Sequence, residues 1–457
     1  MSTPDDRLEG ARERIQGLLE DGDARAASAL AVDLDLHASD LADLFEQLPE
    51  ELGVQLLSTL PSELASEALA EMEEGEDRAD LLAALSPQKT AELLAELADD
   101  DAADLMGDLE PGERRRVLDA LPAEDAGDLI GLLRYDEESA GGLMTTELVA
   151  VEASFSAAAA IDQVRTQGRE IGDFYTVFVV DAAGRLQGTL RLDDLITADP
   201  ESSVQELVEV PVATVHPEVD QEEVGRLISR YNLAAIPVVS DDGVLLGRIT
   251  FDDVIDAIEE EQTEDILRLA GLGDEGELRY TWTESVRARL PWLFVNLGTA
   301  ALASSVVYYF SETIESVVIL AAIMPIVAGL GGNAGTQALA VTVRSIALDH
   351  PPGGRSVRPL GLLVGREIAV GLINGAVLGL VVAMLAALLG GDRMLGGVVW
   401  LAMWGNLVVA GFLGSFVPTV MDRLGLDPAV SSSMFVTPFT DLCGFLFLLT
   451  LGSALLL

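Results

Sequence analysis

Thr437-Pro438-Phe439-Thr440-Asp441-Leu442-Cys443-Gly444-Phe445 lies inside an apolar run from Ala429 to Leu457 in which Asp441 is the only acidic residue. A run of that length crosses a bilayer as a helix, so the carboxyl-terminal end of the chain reads as membrane-embedded. A carboxylate at membrane depth is costly and faces a bundle interior or a watery cavity, where it meets a cation or a proton. Upstream lies a second unusual stretch in apolar surroundings, Gly329-Leu330-Gly331-Gly332-Asn333-Ala334-Gly335-Thr336-Gln337. Glycines and amides in hydrocarbon make sense where backbone lines a pore or where helices pack closely. For Gly331 and Gly332 both readings stand at this point.

Working outward, the charge is very unevenly placed. The chain of 457 residues holds 76 acids and 27 bases; residues 281–457 carry nine of those acids and eight of the bases, leaving 67 and 19 to the first 280. An acidic soluble half therefore precedes a nearly neutral apolar half. Such acidity repels phosphate and argues against nucleic acid as a partner. It suits divalent cations, and it equally suits a saline cytoplasm in which dense salt screens self-repulsion. The single lysine, Lys89, among so many acids points to a halophile. Total charge is accordingly no evidence for metal sensing.

One cysteine, Cys443, excludes an internal disulfide, and the histidines His37, His216 and His350 fall in separate segments, which argues against a zinc centre. The first twenty residues are polar and acidic, unlike a cleavable signal peptide. The amino-terminal half is expected to stay in the cytoplasm.

Residues 1–134 read as short helices. Leu, Ala and Val recur at three- and four-residue spacing, and segments restart at Leu48-Pro49, Leu60-Pro61 and Leu121-Pro122. Echoing phrases such as Asp40-Leu41-Ala42-Asp43-Leu44 and Asp101-Ala102-Ala103-Asp104-Leu105 suggest a superhelix of stacked hairpins. A longer repeat follows. Val179-Val180-Asp181 and Gly188-Thr189-Leu190-Arg191-Leu192-Asp193-Asp194-Leu195 recur as Val238-Val239-Ser240 and Gly247-Arg248-Ile249-Thr250-Phe251-Asp252-Asp253-Val254. Each copy reads as helix, strand, glycine turn, strand and helix. The repeat resembles a tandem pair of CBS domains, placed at 135–205 and 206–262. That resemblance implies an adenine-nucleotide site such as ATP, with Thr250 and Asp253 as the hydroxyl and acid; the first copy has Arg191 in place of the hydroxyl.

A connecting helix is expected over 263–285, carrying Glu264, Asp265 and Glu284, followed by a membrane domain over 286–457. Five spans are expected, near 290–310, 316–345, 361–389, 395–420 and 429–457. The arginine distribution sets the orientation: Arg287, Arg289, Arg344, Arg355, Arg358, Arg366 and Arg423 fall on one side and only Arg393 on the other. The reading is a multi-pass protein of the plasma membrane, amino terminus in and carboxyl terminus out. The fold class is thus multidomain, with a helical superhelical domain, a CBS (α+β) pair, a connecting helix and a five-helix transmembrane domain.

With these motifs in order, the whole chain resembles the MgtE family of magnesium channels and transporters. The marks are Tyr135-Asp136-Glu137-Glu138-Ser139-Ala140-Gly141-Gly142-Leu143-Met144-Thr145, then Gly331-Gly332-Asn333-Ala334-Gly335-Thr336-Gln337, then Asp427-Pro428-Ala429 followed by Thr440-Asp441. The resemblance implies a homodimer in membrane lipid, an ion path on the two-fold axis, and closure at high cytosolic Mg²⁺. The chemistry agrees. Mg²⁺ dehydrates reluctantly, so a pore can select it by holding its water shell with acceptors and concentrated negative charge. Asp441 supplies the charge, and Pro438 frees a carbonyl one turn earlier. By resemblance, Asn333 and the backbone at Gly329 and Thr437 complete that site. The family often has an asparagine two turns before the pore aspartate; here Ser433 stands there.

The resemblance also points to regulatory carboxylates: Asp100 and Asp104, Glu222, Asp253 and Asp256, and Glu261, Glu264 and Asp265. Those from Asp253 onward recur at three to five residues, which lets several share one helix face. A solvated acidic surface accounts for the same residues equally well. Asn232 stands where the family often has an acid before the second CBS strand. Sparse metal would let these acids push the domains apart, and binding would draw them together and press the connecting helices on the pore mouth.

Other classes fit less well. A broader divalent transporter admitting Co²⁺, Ni²⁺ or Mn²⁺ is the nearest alternative. An intramembrane aspartyl hydrolase needs two acids, and Asp441 is read as having no intramembrane acidic partner; Ser431 to Ser433 lack an activating histidine or lysine. The chain is not expected to be an enzyme.

Overall fold

The computed structural model describes all residues except 1–3, 74, 170, 172–173, 273–281, 350–359, 391, 425 and 430–432. Two compact units divide the chain, Met1–Ile258 and Glu259–Leu457.

The first unit opens with ten short helices: α1 (Pro4–Glu20), α2 (Ala24–Asp33), α3 (Ala38–Gln47), α4 (Glu50–Leu57), α5 (Ser62–Ala70), α6 (Glu76–Ala84), α7 (Pro87–Leu94), α8 (Asp99–Gly107), α9 (Pro111–Leu118) and α10 (Ala123–Leu132). Pro49, Pro61 and Pro122 each stand at a helix N-cap, so the Leu-Pro steps do punctuate the chain. A proline there lacks the N–H that a helix start leaves unpaired anyway. Helices pack on the second helix along: α3 on α5, α5 on α7, α7 on α9 and α4 on α6. Polar ties at 30 to 32 residues' separation lace successive turns together: Arg12–Asp43 (2.5 Å), Ser39–Glu71 (2.7 Å), Ser62–Glu92 (2.5 Å) and Arg78–Asp108 (2.5 Å). This is the stacked superhelix expected from the periodicity.

Two CBS-type layers follow. Strands β1 (Ala150–Glu152), β2 (Thr176–Val180) and β3 (Leu186–Arg191) form one sheet in that order, with α11 (Ala157–Gln167) before β2, and α12 (Leu192–Thr197) and α13 (Val204–Leu207) after β3. The second sheet pairs β4 (Ala235–Val239) with β5 (Leu245–Thr250), between α14 (Gln221–Tyr231) and α15 (Phe251–Ala270). The repeat extends to detail: the register shifts at Val179/Val180 in one hairpin and at Val238/Val239 in the other. Gly184 and Gly243 close the two turns at φ 75° and 76°, a region costly for any residue with a Cβ. The hairpins then pair with each other reciprocally, Leu186 N to Gly243 O and Leu245 N to Gly184 O, both at 3.0 Å. The second copy shares one apolar core with the helical domain, through Met144, Val215, Val224, Ile236 and Val254, whereas the first has a core of its own.

The second unit is a helical bundle. After the end of α15 come α16 (Trp282–Tyr309), the short α17 (Ser311–Ser316), α18 (Ile319–Asp349), α19 (Leu360–Gly390), α20 (Arg393–Leu424) and α21 (Ser433–Leu456). Among the described residues five helices are long and apolar enough to cross a membrane: α16, α18, α19, α20 and α21. Helix α20 is the most buried and packs on α18, α19 and α21; α16 is the least buried. Small residues let the backbones close in: a β-carbon at Gly414 would sit 2.4 Å from Gly335 O, and one at Gly411 2.5 Å from Glu367 O.

Two expectations need correction. No new helix starts at 263: α15 runs unbroken from Phe251 to Ala270, the two units divide inside it at 258/259, and Glu284 belongs to α16 rather than to a connecting helix. Val254, Ala257 and Ile258 give that helix an apolar face up to the division, after which Glu261, Gln262, Glu264 and Asp265 replace it. Asp441 is also not the only acid in a membrane span. Glu367 lies in the span Gly361–Leu388 and is 8% exposed, its nearest described cation Arg366 at 3.9 Å.

Candidate functional site

Helix α21 carries Pro438 in its interior. Proline cannot donate to the carbonyl four residues back, which leaves that oxygen for another partner. One turn on, half-buried Asp441 borders a cavity of about 310 Å³, together with Thr437 and Pro438 of α21, Asn296, Thr299, Ala300 and Ala303 of α16, and Ala270 at the end of α15. The carboxylate thus meets open space whose wall sets two threonines and an amide among alanines and a proline. Thr437, whose backbone the resemblance puts beside Asp441, lines the same cavity. Asn296 and Thr299 were not anticipated; their signal was faint, two polar residues one turn apart in an apolar span.

The glycine run on α18 separates into two faces. Gly331, Gly332 and Gly335 are buried, and their absent side chains admit Asn406, Thr437 and Val436: a β-carbon would stand 2.2, 3.1 and 2.5 Å from those neighbours. Gly329 and Asn333 are exposed on the chain's surface. The glycines at 331 and 332 therefore serve packing, and the two residues expected at the ion path share the outward face. Ser433 opens α21, and its side chain lies outside the described residues, as do Ser431 and Ser432 entirely.

The cytoplasmic carboxylates fall in both units. In the first, Asp99, Asp100 and Asp101 form the first turn of α8, where a helix N-terminus favours negative charge. Asp99 is a latch. Its carboxylate accepts from Thr145 Oγ1 at 2.6 Å, from Thr146 N at 3.0 Å and from the Thr146 hydroxyl. Asp100 is 8% exposed, and its Oδ1 has no hydrogen-bond partner. Burial, then the charges of Asp101, Asp253 and Asp99, push its carboxyl well above the usual range. Asp101 is raised to about 6 by burial and by Asp253, Glu71 and Asp252, against the pull of Arg78. Asp253 is raised by burial, although it accepts from the Thr250 hydroxyl and from Thr250 N at 3.3 Å. The structure thus brings Asp100 and Asp253 together and adds Asp99 and Asp101, which the sequence reading passed over within the same acidic run.

Asp104 lies one turn beyond Asp100, half-buried; Glu222 sits half-buried in the first turn of α14, and Asp256 is exposed on α15. In the second unit Glu264 pairs with Arg268, which also donates to Asp427 at 2.5 Å; Glu261 and Asp265 are half-buried on the same helix. Burial and Asp427 raise Asp265, opposed by Arg344 and Arg268. Among the described residues no group of three or more His, Cys, Asp or Glu is gathered tightly enough to hold a bare metal ion. Asn232 adopts the left-handed conformation, φ 50°, as the cap of α14, a backbone role that asparagine tolerates better than most residues.

Family profiles match in the order of the domains. One described as the MgtE intracellular N domain covers residues 36–138, the CBS domain profile covers 140–201 and 204–260, and one described as divalent cation transporter covers 324–451. A magnesium transporter MgtE of Enterococcus faecalis is 37% identical over 425 residues, 92% of each chain. The chain belongs to the MgtE family. The Thermus thermophilus MgtE magnesium transporter is 34% identical across 97% of this chain and 98% of its own. A crystal structure of the soluble part of a magnesium transporter aligns at TM-score 0.50 and 31% identity, covering 56% of this chain and 99% of that one. The cytosolic domain of the Mg²⁺ channel MgtE in complex with ATP aligns at TM-score 0.50 and 36% identity, covering 54% and 99%.

Proposed function

We propose that this chain is a magnesium channel of the plasma membrane, working as a homodimer with its ion path beside Asp441 and closed from the cytoplasm by Mg²⁺. The observation that carries the reading is the Asp441 carboxylate bordering the 310 Å³ cavity with Thr437, Asn296 and Thr299. Six waters at liquid density occupy about 180 Å³, so there is room for a cation with its shell intact. Hydroxyls, an amide and a carboxylate are acceptors for the hydrogens of that shell. The outward face carrying Gly329 and Asn333 suits a second copy across a two-fold axis.

Closure follows from the acids of the first unit. Asp100, Asp101 and Asp253 repel one another when ionised, and a hydrated divalent ion among them offsets that repulsion without needing three direct ligands. Asp104, Glu222 and Asp256 border the same regulatory surfaces in this reading, with Glu261, Glu264 and Asp265 acting on the pore half. The arginine distribution supports a carboxyl terminus outside. Thr250 and Asp253 stand side by side and hydrogen-bonded to each other, close enough to serve one nucleotide once that bond is exchanged for bonds to phosphate and ribose. The acids around them exclude bare polyphosphate, so the site suits ATP that arrives with its own Mg²⁺. The profile description, divalent cation transporter, together with the carboxylate, hydroxyls and amide on the cavity wall, leaves Co²⁺, Ni²⁺ or Mn²⁺ as a second cargo class.

Growth rescue tests the reading. In a transport-deficient host at limiting Mg²⁺, the native chain is expected to restore growth and Asp441→Ala to fail at equal membrane expression. Rescue by both removes Asp441 from the ion path.

A further inference from the structure

Asn406 of α20 is one of the fully buried polar side chains of the membrane half, with 0% exposure. Its Nδ2 donates to Val327 O on α18 at 3.0 Å, while its Oδ1 is buried without a hydrogen-bond partner among the described residues. It is seated on two glycines. A β-carbon at Gly331 of α18 would lie 2.2 Å from Nδ2, and one at Gly444 of α21 would lie 2.8 Å from it. Only glycine at both places admits the amide.

Leucine has the same branched outline, somewhat bulkier, with no polar atom to bury. A polar group held there must therefore do something an apolar one cannot. A hydrogen bond is directional, whereas apolar contact lets one helix slide along another. The amide acts on the two helices that carry the ion-path residues. Asn333 follows Gly331 by half a turn, Asp441 precedes Gly444 by one turn, and Gly332 abuts Thr437.

We propose that Asn406 is a positioning residue of the ion path: its amide bonds α20 to Val327 of α18 and is wedged between Gly331 and Gly444, and so sets how α18 and α21 meet across it. In this way it fixes where the Asp441 carboxylate stands relative to Asn333. This inference rests on Asp441 being the ion-binding acid, and its test separates the two claims.

The full-length protein is placed in liposomes, with Mg²⁺ entry read by an entrapped dye and Ca²⁺ as competitor. Asn406→Ala is expected to raise the half-saturating Mg²⁺ about tenfold and to lower the preference for Mg²⁺ over Ca²⁺, with maximal flux within about threefold of native. Gly331→Ala, which pushes into Nδ2, is expected to do the same, and the double variant to be no worse than Asn406→Ala alone. Native half-saturation and preference in Asn406→Ala overturn the proposal, as do additive effects in the double variant. Where Asn406→Ala does not elute as a monodisperse species, Asn406→Ser takes its place. Failure of both to fold overturns the proposal too, by making the residue a determinant of stability. Native flux in Asp441→Ala removes the underlying reading; its loss there beside unaltered Asn406 variants removes only the positioning role.

Discussion

Arg268 Nη1 donates to Asp427 Oδ2 at 2.5 Å, joining the last turn of α15 to the segment that leads into α21. The other oxygen of Asp427 accepts from Ala429 N at 2.7 Å, so one carboxylate is tied both to α15 and to the entry of the Asp441 helix. Beside it, Leu269 packs on Leu339, Val343, Ala429 and Val436. A shift of the α15 end is thereby delivered to α21.

Arg268→Ala is expected to loosen that joint. A part-exposed ion pair is worth about 1 kcal/mol, so under the proposed gating the Mg²⁺ concentration that halts flux should rise about fivefold. Flux into liposomes at graded luminal-side and cytoplasmic-side Mg²⁺ reads this. Unchanged closure would leave the pair with a purely structural role.

Asp99→Ala removes the hydrogen bonds to Thr145 and Thr146 between α8 and the start of the CBS pair. Charge-assisted bonds contribute about 1.5–3 kcal/mol each when buried, less here because the site is part-exposed. The expected outcome is faster proteolysis between Leu132 and Val149 and a closing Mg²⁺ concentration raised about tenfold, measured on the full chain.

Asp101 supplies the pH dependence. Its folded value of about 6 lies above the ordinary 3.8, so between those values the folded unit holds a proton that the unfolded chain releases. Stability is therefore greatest below the lower value and falls as pH rises through about 6. Without metal, the melting temperature of the cytoplasmic half should increase from pH 7.5 to pH 5.5, and added Mg²⁺ should flatten the slope. Asp101→Asn should raise the melting temperature at pH 7.5 and reduce the slope. A melting temperature that falls with acidification contradicts the assignment.

Gly414→Val places side-chain atoms against Gly335 O, where a β-carbon already stands 2.4 Å away. Overpacking of that kind costs about 1–3 kcal/mol or more. Reduced thermal stability in detergent, with the cytoplasmic transition unmoved, is the expected result.

Much of this was legible beforehand because each domain carries a strong period. Leu-Pro steps gave the short helices, a 59-residue echo of Val179-Val180-Asp181 gave the paired hairpins, and uncharged runs gave the spans. The lone acid in the last span led to the cavity. What escaped notice depended on tertiary neighbours. Glu367 and Asn406 are single polar residues whose burial only packing reveals, and Asn296 and Thr299 matter only because α16 faces α21. Asp99 was hidden in an acidic run where composition cannot tell a latch from a solvated face. No helix starts at 263 because nothing local stops α15: residues 251–270 contain neither glycine nor proline.

Purified full-length protein in liposomes, native against Asp441→Asn, bears most directly on the path itself. The amide keeps the size and removes the charge, so Mg²⁺ entry is expected to fall at least about a hundredfold while elution and helical content stay native. Mg²⁺ entry in the Asp441→Asn protein at the native rate would contradict an ion path beside that carboxylate.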